Sequence, residues 1–280
     1  DQDMPLNGRI KSYDFTMSNW QTCREDTWKF IAARDWIAGG YQWAGIEHRG
    51  ETKWPRLCSV SGALDMFLQK KDAFYQNMSL WRSEPMVHLL PHWNFRGREG
   101  EEIRVVAYTN CPEVEFFLNG RSLGAQTVEK HGYAELYVPY EPGELKAVAR
   151  CADGTMVTDV NITTGVPVAL HLELLNGKDY RGEPLCANGK DMALVNCYAV
   201  DEAGNIVPDA SPVVNFAASL PGKLIATGSD NTDHVPPFSA ERRMYAGIIV
   251  AGLVITKPGK AKIYASSPGL ESAVLEIEGK

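Results

Sequence analysis

Six side chains able to do chemistry fall within residues 36–55: Trp43, Glu47, His48, Arg49, Glu51 and Trp54. An indole offers a flat apolar face to a pyranose ring and an N–H donor at its edge. Carboxylates such as Glu47 and Glu51 accept hydrogen bonds from sugar hydroxyls. Trp43 closes an apolar run, and in parallel α/β folds the carboxyl end of a strand and the loop beyond it carry the site. The stretch therefore reads as a sugar-binding set of Trp43, Glu47, His48, Glu51 and Trp54. The plainer alternative is a core tryptophan followed by a solvated, charged loop.

The two glutamates are poor candidates for hydrolysis by themselves. A retaining glycosidase holds two carboxyls about 5–5.5 Å apart on opposite sides of the scissile bond, and two carboxylates on one loop do not flank a substrate. His88 and His92 have a spacing that binds metal on a helix, but Pro85 and Pro91 argue against a helix there. The loop from Gly228 to His234 is rich in oxygen donors, yet it lacks the spacing of an EF-hand and reads as ordinary turn chemistry. No metal and no cofactor is expected.

The elements that would place these groups can be read from periodicity. Trp28, Ile31, Ala32, Asp35 and Trp36 have helical spacing, with Asp26 or Thr27 as the cap. Trp36 to Gly45, broken by Gly39-Gly40, fits a buried parallel strand. Lys70 to Trp81 is a second helix, with Ala73, Phe74, Asn77, Met78 and Trp81 on one face. A lone strand–loop–helix unit cannot bury a parallel strand on both sides, so residues 1–82 are expected to be the last βα unit of a larger body.

Beyond Ser83-Glu84-Pro85 the pattern changes to short strands punctuated by turns. Ile103–Thr109, Val114–Leu118, Tyr133–Val138 and Leu145–Ala149 alternate or run apolar, and Asn119-Gly120, Pro142-Gly143 and Asp153-Gly154 turn between them. This is an antiparallel sandwich of the immunoglobulin type over residues 83–165. A second sandwich, over 166–280, has strands at Ala169–Leu175, Met192–Val200, Val213–Ala217, Gly247–Thr256, Lys260–Ala265 and Ala273–Ile277.

Composition bounds the partners. The chain has 280 residues, 44% hydrophobic and 22% charged, with net charge −7 and pI about 5.5. A weakly acidic surface without a basic, aromatic-interleaved patch disfavours nucleic acid and anionic membranes. No apolar run approaches a membrane span, and no signal peptide is visible at Asp1. The six cysteines are scattered and read as free, mostly buried thiols. Cys111 with Cys151, and Cys186 with Cys197, could each share a sandwich.

A resemblance adds to this reading. Ala38-Gly39-Gly40-Tyr41-Gln42-Trp43, Arg49-Gly50-Glu51, Trp54-Pro55, Ser61-Gly62-Ala63-Leu64-Asp65, Lys71-Asp72-Ala73-Phe74-Tyr75 and His88-Leu89-Leu90-Pro91-His92-Trp93-Asn94 resemble bacterial β-galactosidase-like enzymes of glycoside hydrolase family 2. So do Val114 to Gly120 and Val138-Pro139-Tyr140. The resemblance implies a C-terminal βα piece of a (β/α)8 barrel (1–82), an immunoglobulin-like sandwich (83–165) and a second one of the bacterial Ig/invasin type (166–280). It implies a retaining β-glycosidase acting on terminal β-galactosides or close relatives, whose two catalytic glutamates precede this chain. Trp43 would line the floor of the sugar pocket. The partners implied are a carbohydrate and the upstream catalytic barrel of the same protein, with the sandwiches bracing the barrel, shaping the pocket entrance or supporting a homo-oligomer. The family often has Asp-Tyr before Arg-Gly-Glu where this chain has Glu47-His48, a change that bears on sugar preference. A rival reading is a non-catalytic carbohydrate-binding or structural module, with Tyr133, Tyr137, Tyr140 and Tyr180 as its aromatic face. Compartment, periplasm or cytoplasm, is left open.

Overall fold

The computed structural model describes residues 22–50, 52, 54–178 and 182–280; Glu51 and Tyr180 lie outside them. The described residues are mostly β-sheet, with little helix. It divides into two compact units, one of residues 1–50 and 58–163, the other of 51–57 and 164–280.

In the first unit two helices precede the strands: α1 (Arg24–Ala32) and α2 (Asp72–Trp81). The cap of α1 is Cys23, not Asp26 or Thr27: its Sγ accepts the Asp26 N–H at 3.3 Å. Glu25 and Asp26 fall in the first turn, where their charge complements the exposed N–H groups. The helix stops at Ala32, short of Asp35 and Trp36. Arg24 Nε donates to Asn77 Oδ1 at 3.1 Å, and the Trp28 and Trp81 rings meet edge-to-face at 5.8 Å, which packs α1 on α2.

The run Trp36–Gly45 forms no strand. Its apolar side chains lie outward, with Trp36 80% and Trp43 64% exposed. A parallel strand needs a ladder on each side, and among the described residues this stretch finds only single backbone bonds and the isolated Ile46–Leu64 bridge that follows it.

The sandwich of this unit is built from β1 (Val87–Leu90), β2 (Glu102–Thr109), β3 (Glu113–Leu118), β4 (Arg121–Thr127), β5 (Ala134–Pro139), β6 (Glu144–Arg150) and β7 (Met156–Ile162). They form sheets ordered β1-β2-β5 and β4-β3-β6-β7, with every pair antiparallel. Val87–Leu90, just beyond the Ser83-Glu84-Pro85 break, supply edge strand β1. Asn119 and Gly120 both take positive φ, +51° and +77°, as a two-residue hairpin requires. Inward positions alternate along β3 and β6, and Trp93, Phe116, Leu118, Tyr140 and Leu145 fill the core. Cys111 and Cys151 form a disulfide across this core, correcting the expectation of free thiols there. Cys58, Cys186 and Cys197 are free thiols.

His88 fastens α2 to the sandwich. Its Nε2 is 3.1 Å from Asp72 of α2, its Nδ1 is 3.5 Å from Asp159 of β7, and its ring stacks on Tyr75 at 3.8 Å. It is therefore a packing residue and not half of a metal pair with His92, whose Nδ1 accepts the Asn94 N–H.

The second unit comprises β8 (Ala169–Leu174), β9 (Met192–Val200), β10 (Val213–Ala218), β11 (Gly222–Gly228), β12 (Glu241–Arg243), β13 (Ile248–Ile255), β14 (Gly259–Ser267) and β15 (Leu270–Gly279). Four strands, β11-β13-β9-β8, and four others, β15-β14-β10-β12, are antiparallel within each group. The parallel contact of Glu271 with Ala169 joins them into a nearly closed eight-stranded sheet. Strand β13 is buried at all eight positions, so it shows no alternation. Val195, Cys197, Phe216, Ile249, Leu253 and Ile263 are among its core residues.

Candidate functional site

The candidate residues of the first unit sit on a knot of backbone hydrogen bonds rather than on a sheet. Ala44 N–H donates to Ser61 O at 3.1 Å, Leu64 N–H to Gly45 O at 2.9 Å, and Glu47 N–H to Leu64 O at 2.9 Å. This works because residue 62 is glycine: a Cβ there would lie 2.2 Å from Glu47 N and 2.5 Å from Leu64 O. Residues 44–47 and 61–64 can approach only across a missing side chain. The Trp43–Ala44 peptide is cis.

Trp43 presents its indole to solvent and meets the His48 ring edge-to-face at 5.3 Å. His48 Nδ1 is 3.1 Å from Ser59 Oγ, and Ser59 N–H donates to His48 O at 2.9 Å. Ser59 thus holds His48, while Trp43 remains 64% exposed.

Glu47 has a different setting from the one expected. Its side chain is only 4% exposed and its Oε1 accepts from Lys71 Nζ at 2.7 Å. Lys71 Nζ also donates to Val60 O at 2.8 Å. The other oxygen, Oε2, is 3.5 Å from Cys58 Sγ. Burial first, then the Glu47 carboxylate, pushes the Cys58 thiol up to about 12, so the sulfur keeps its proton and can donate. Glu47 is committed to this buried cluster rather than offered to a ligand. Spacing gave no sign of Lys71, although a lysine immediately before α2 opposes the helix dipole, which marks it as held by another partner.

Trp54 belongs to the second unit, 82% exposed, with its ring stacked on His234 at 4.5 Å. His234, Asn231 and Arg242, which organise that part of the chain, were not singled out by the sequence as site residues. The acidic loop there is used internally: Asp233 pairs with buried Arg242, and Asp230 Oδ1 accepts from Thr232 Oγ1 at 2.7 Å.

The rival aromatic face does not assemble. Tyr140 is buried in the core, Tyr133 packs edge-to-face on Tyr108, and Tyr137 alone of the described three is well exposed.

Residues 180–276 match the family described as glycoside hydrolase family 2 C-terminal domain 5, and residues 100–158 match a domain of unknown function (DUF4982). The chain belongs to glycoside hydrolase family 2, through its match to that family's C-terminal domain and its likeness to family members over most of its length. It is similar to the β-galactosidase BoGH2A of Bacteroides ovatus, 34% identical over 277 residues, covering 96% of this chain and 32% of that protein. It is also similar to a β-glucuronidase of Formosa agariphila, 29% identical, covering 90% of this chain and 25% of that protein. Among solved structures, a β-glycosidase from Bacteroides vulgatus superposes with a TM-score of 0.85 at 28% identity, covering 95% of this chain and 34% of that one. The chain therefore spans about a third or less of the length of these relatives.

Proposed function

We propose that this chain is the C-terminal portion of a retaining β-glycosidase that hydrolyses terminal β-galactosides. In this reading residues 1–82 complete a (β/α)8 barrel, and 83–165 and 166–280 are accessory immunoglobulin-like sandwiches. The observation that carries it is the outward display of Trp36, Tyr41 and Trp43. Three large aromatics are exposed within eight residues, which is what a barrel segment shows without its neighbouring strands. The likeness to a β-galactosidase at 34% identity supports galactoside over glucuronide.

In the reaction, two upstream glutamates serve as acid/base and nucleophile and the sugar passes through a glycosyl-enzyme. Trp43 forms the floor under the sugar ring. His48 holds Trp43 edge-on. In the second unit, Trp54 offers its exposed indole to carbohydrate, and Glu51 accepts from sugar hydroxyls. Glu47 acts through Lys71, fixing the backbone that carries Trp43 and His48. Carbohydrate and the upstream barrel are its partners.

The test compares the 280-residue chain with the same reading frame expressed together with whatever precedes Asp1. The extended protein is expected to hydrolyse an aryl β-galactoside faster than an aryl β-glucuronide, and the 280-residue chain to hydrolyse neither. Turnover by the 280-residue chain that disappears with Glu47→Gln or Glu51→Gln would overturn the reading.

A further inference from the structure

Residues 51–57 group with 164–280, and three contacts hold them there. Leu57 N–H donates to Asn231 O at 2.6 Å. His234 Nε2 lies 2.6 Å from Pro55 O, and the His234 ring stacks on Trp54 with 29° between the planes. A carbonyl oxygen can only accept, so Nε2 carries the hydrogen and the imidazole plane is fixed by that bond.

The loop presenting Asn231 and His234 is itself braced. Arg242 of β12, 2% exposed, spends its guanidinium on it. Its Nε donates to Thr227 Oγ1 at 2.8 Å, Nη1 to Val235 O at 3.1 Å, and Nη2 to Pro236 O at 2.8 Å. Nη1 also pairs with Asp233, whose Oδ2 accepts from Ser229 Oγ at 2.9 Å. A buried arginine that ties three acceptors of one short loop, on Asp233, Val235 and Pro236, to Thr227 of β11 makes that loop a rigid support.

An indole has two faces. His234 stacks against one while Trp54 stays 82% exposed, so the contact biases the side chain toward one orientation before any ligand arrives. Binding then loses less rotamer freedom than it would with a free tryptophan.

We propose that His234, braced by Arg242, is a positioning residue that sets the face Trp54 presents to the sugar of a β-glycoside. This rests on the reading that Trp54 contacts substrate. The role predicted is in binding and leaves the bond-breaking step alone, so KM changes and kcat does not.

Two measurements decide it. In the 280-residue chain labelled with 5-fluorotryptophan, the Trp54 resonance, assigned by its loss in Trp54→Leu, is expected to move with His234→Ala while the resonances of the other tryptophans stay. In the extended protein, His234→Ala and Arg242→Met are expected to raise KM for an aryl β-galactoside about three- to tenfold with kcat little changed. His234→Phe, which keeps a ring to stack, restores most of the loss. His234→Ala adds nothing to Trp54→Leu. An unmoved Trp54 resonance overturns the proposal. Wild-type KM in His234→Ala beside a raised KM in Trp54→Leu also overturns it, and leaves the glycosidase reading standing. An unchanged KM in Trp54→Leu removes Trp54 from the pocket and the proposal with it.

Discussion

Breaking the buried Glu47–Lys71 pair from one side should be far more costly than removing both charges. The Nζ–Oε1 distance is 2.7 Å, with the side chains 9% and 4% exposed. At an effective dielectric of about 20 the attraction across that distance is about 6 kcal/mol. Desolvation of the two ions, several kcal/mol each, cancels most of it, so the net worth of the pair is small. Lys71→Met leaves a carboxylate sealed in with only the weak Cys58 Sγ donor at 3.5 Å, a loss of about 3–5 kcal/mol. Glu47→Gln with Lys71→Met removes both charges and should recover most of that loss. The assay is native-state hydrogen exchange at the amides of Glu47, Leu64 and Lys71, which report local opening of this knot. Lys71→Met should lower their protection by roughly two to three and a half orders of magnitude. A single-variant loss below about 1 kcal/mol, or a double variant no better than the single, would refute the claim that the carboxylate is charged and shut away.

Three further outcomes are expected. Gly62→Ala should disrupt the same amides, because its Cβ would fall 2.2 Å from Glu47 N; unchanged exchange there would show that the two segments have room to part. Reducing Cys111–Cys151, 40 residues apart in sequence, should lower the urea stability of the first sandwich by about 2–4 kcal/mol, and an unchanged midpoint would count against the bridge. For His88, burial works to lower the pKa, but the Asp159 and Asp72 carboxylates prevail and raise it above 6.5. Its contribution is therefore fully present below about 6.5 and lost as pH rises through the elevated folded value. Asp159 is pushed up by burial and pulled further down by His88 and the Leu89 N–H, so its share is present above 3.8 and fades as pH falls. The stability difference between wild type and His88→Gln should be largest between those limits and shrink on the alkaline side; a difference independent of pH would exclude the charged pairing.

What the sequence revealed and what it hid divide along physical lines. Central strands such as β3, β6 and β9 bury side chains in a period of two or along a whole run, and they were legible. The strands missed, β1, β4, β7, β11 and β12, all stand at sheet edges. An edge strand pairs on one side only and exposes more of its residues, so β4 reads as Arg-Ser-Leu-Gly-Ala-Gln-Thr without an apolar rhythm. The run Trp36–Gly45 was misread for the opposite reason: apolarity signals that something must cover a segment without saying where that cover comes from. Trp43 and Trp54 stood out in the sequence because aromatic side chains near charge are visible in one dimension. The setting of Glu47 was not, since its partner Lys71 is 24 positions away, nor was the seat of Trp54 on His234, 180 positions on.

The seven residues 51–57 share a compact unit with chain that begins at Thr164. A gene divided at that junction into catalytic and accessory cassettes would strand Trp54, Pro55 and Leu57 from the loop they bond to. Chimeras that exchange C-terminal cassettes between related enzymes would have to carry 51–57 and 229–235 from one parent, and in natural lineages the two short stretches are expected to change together.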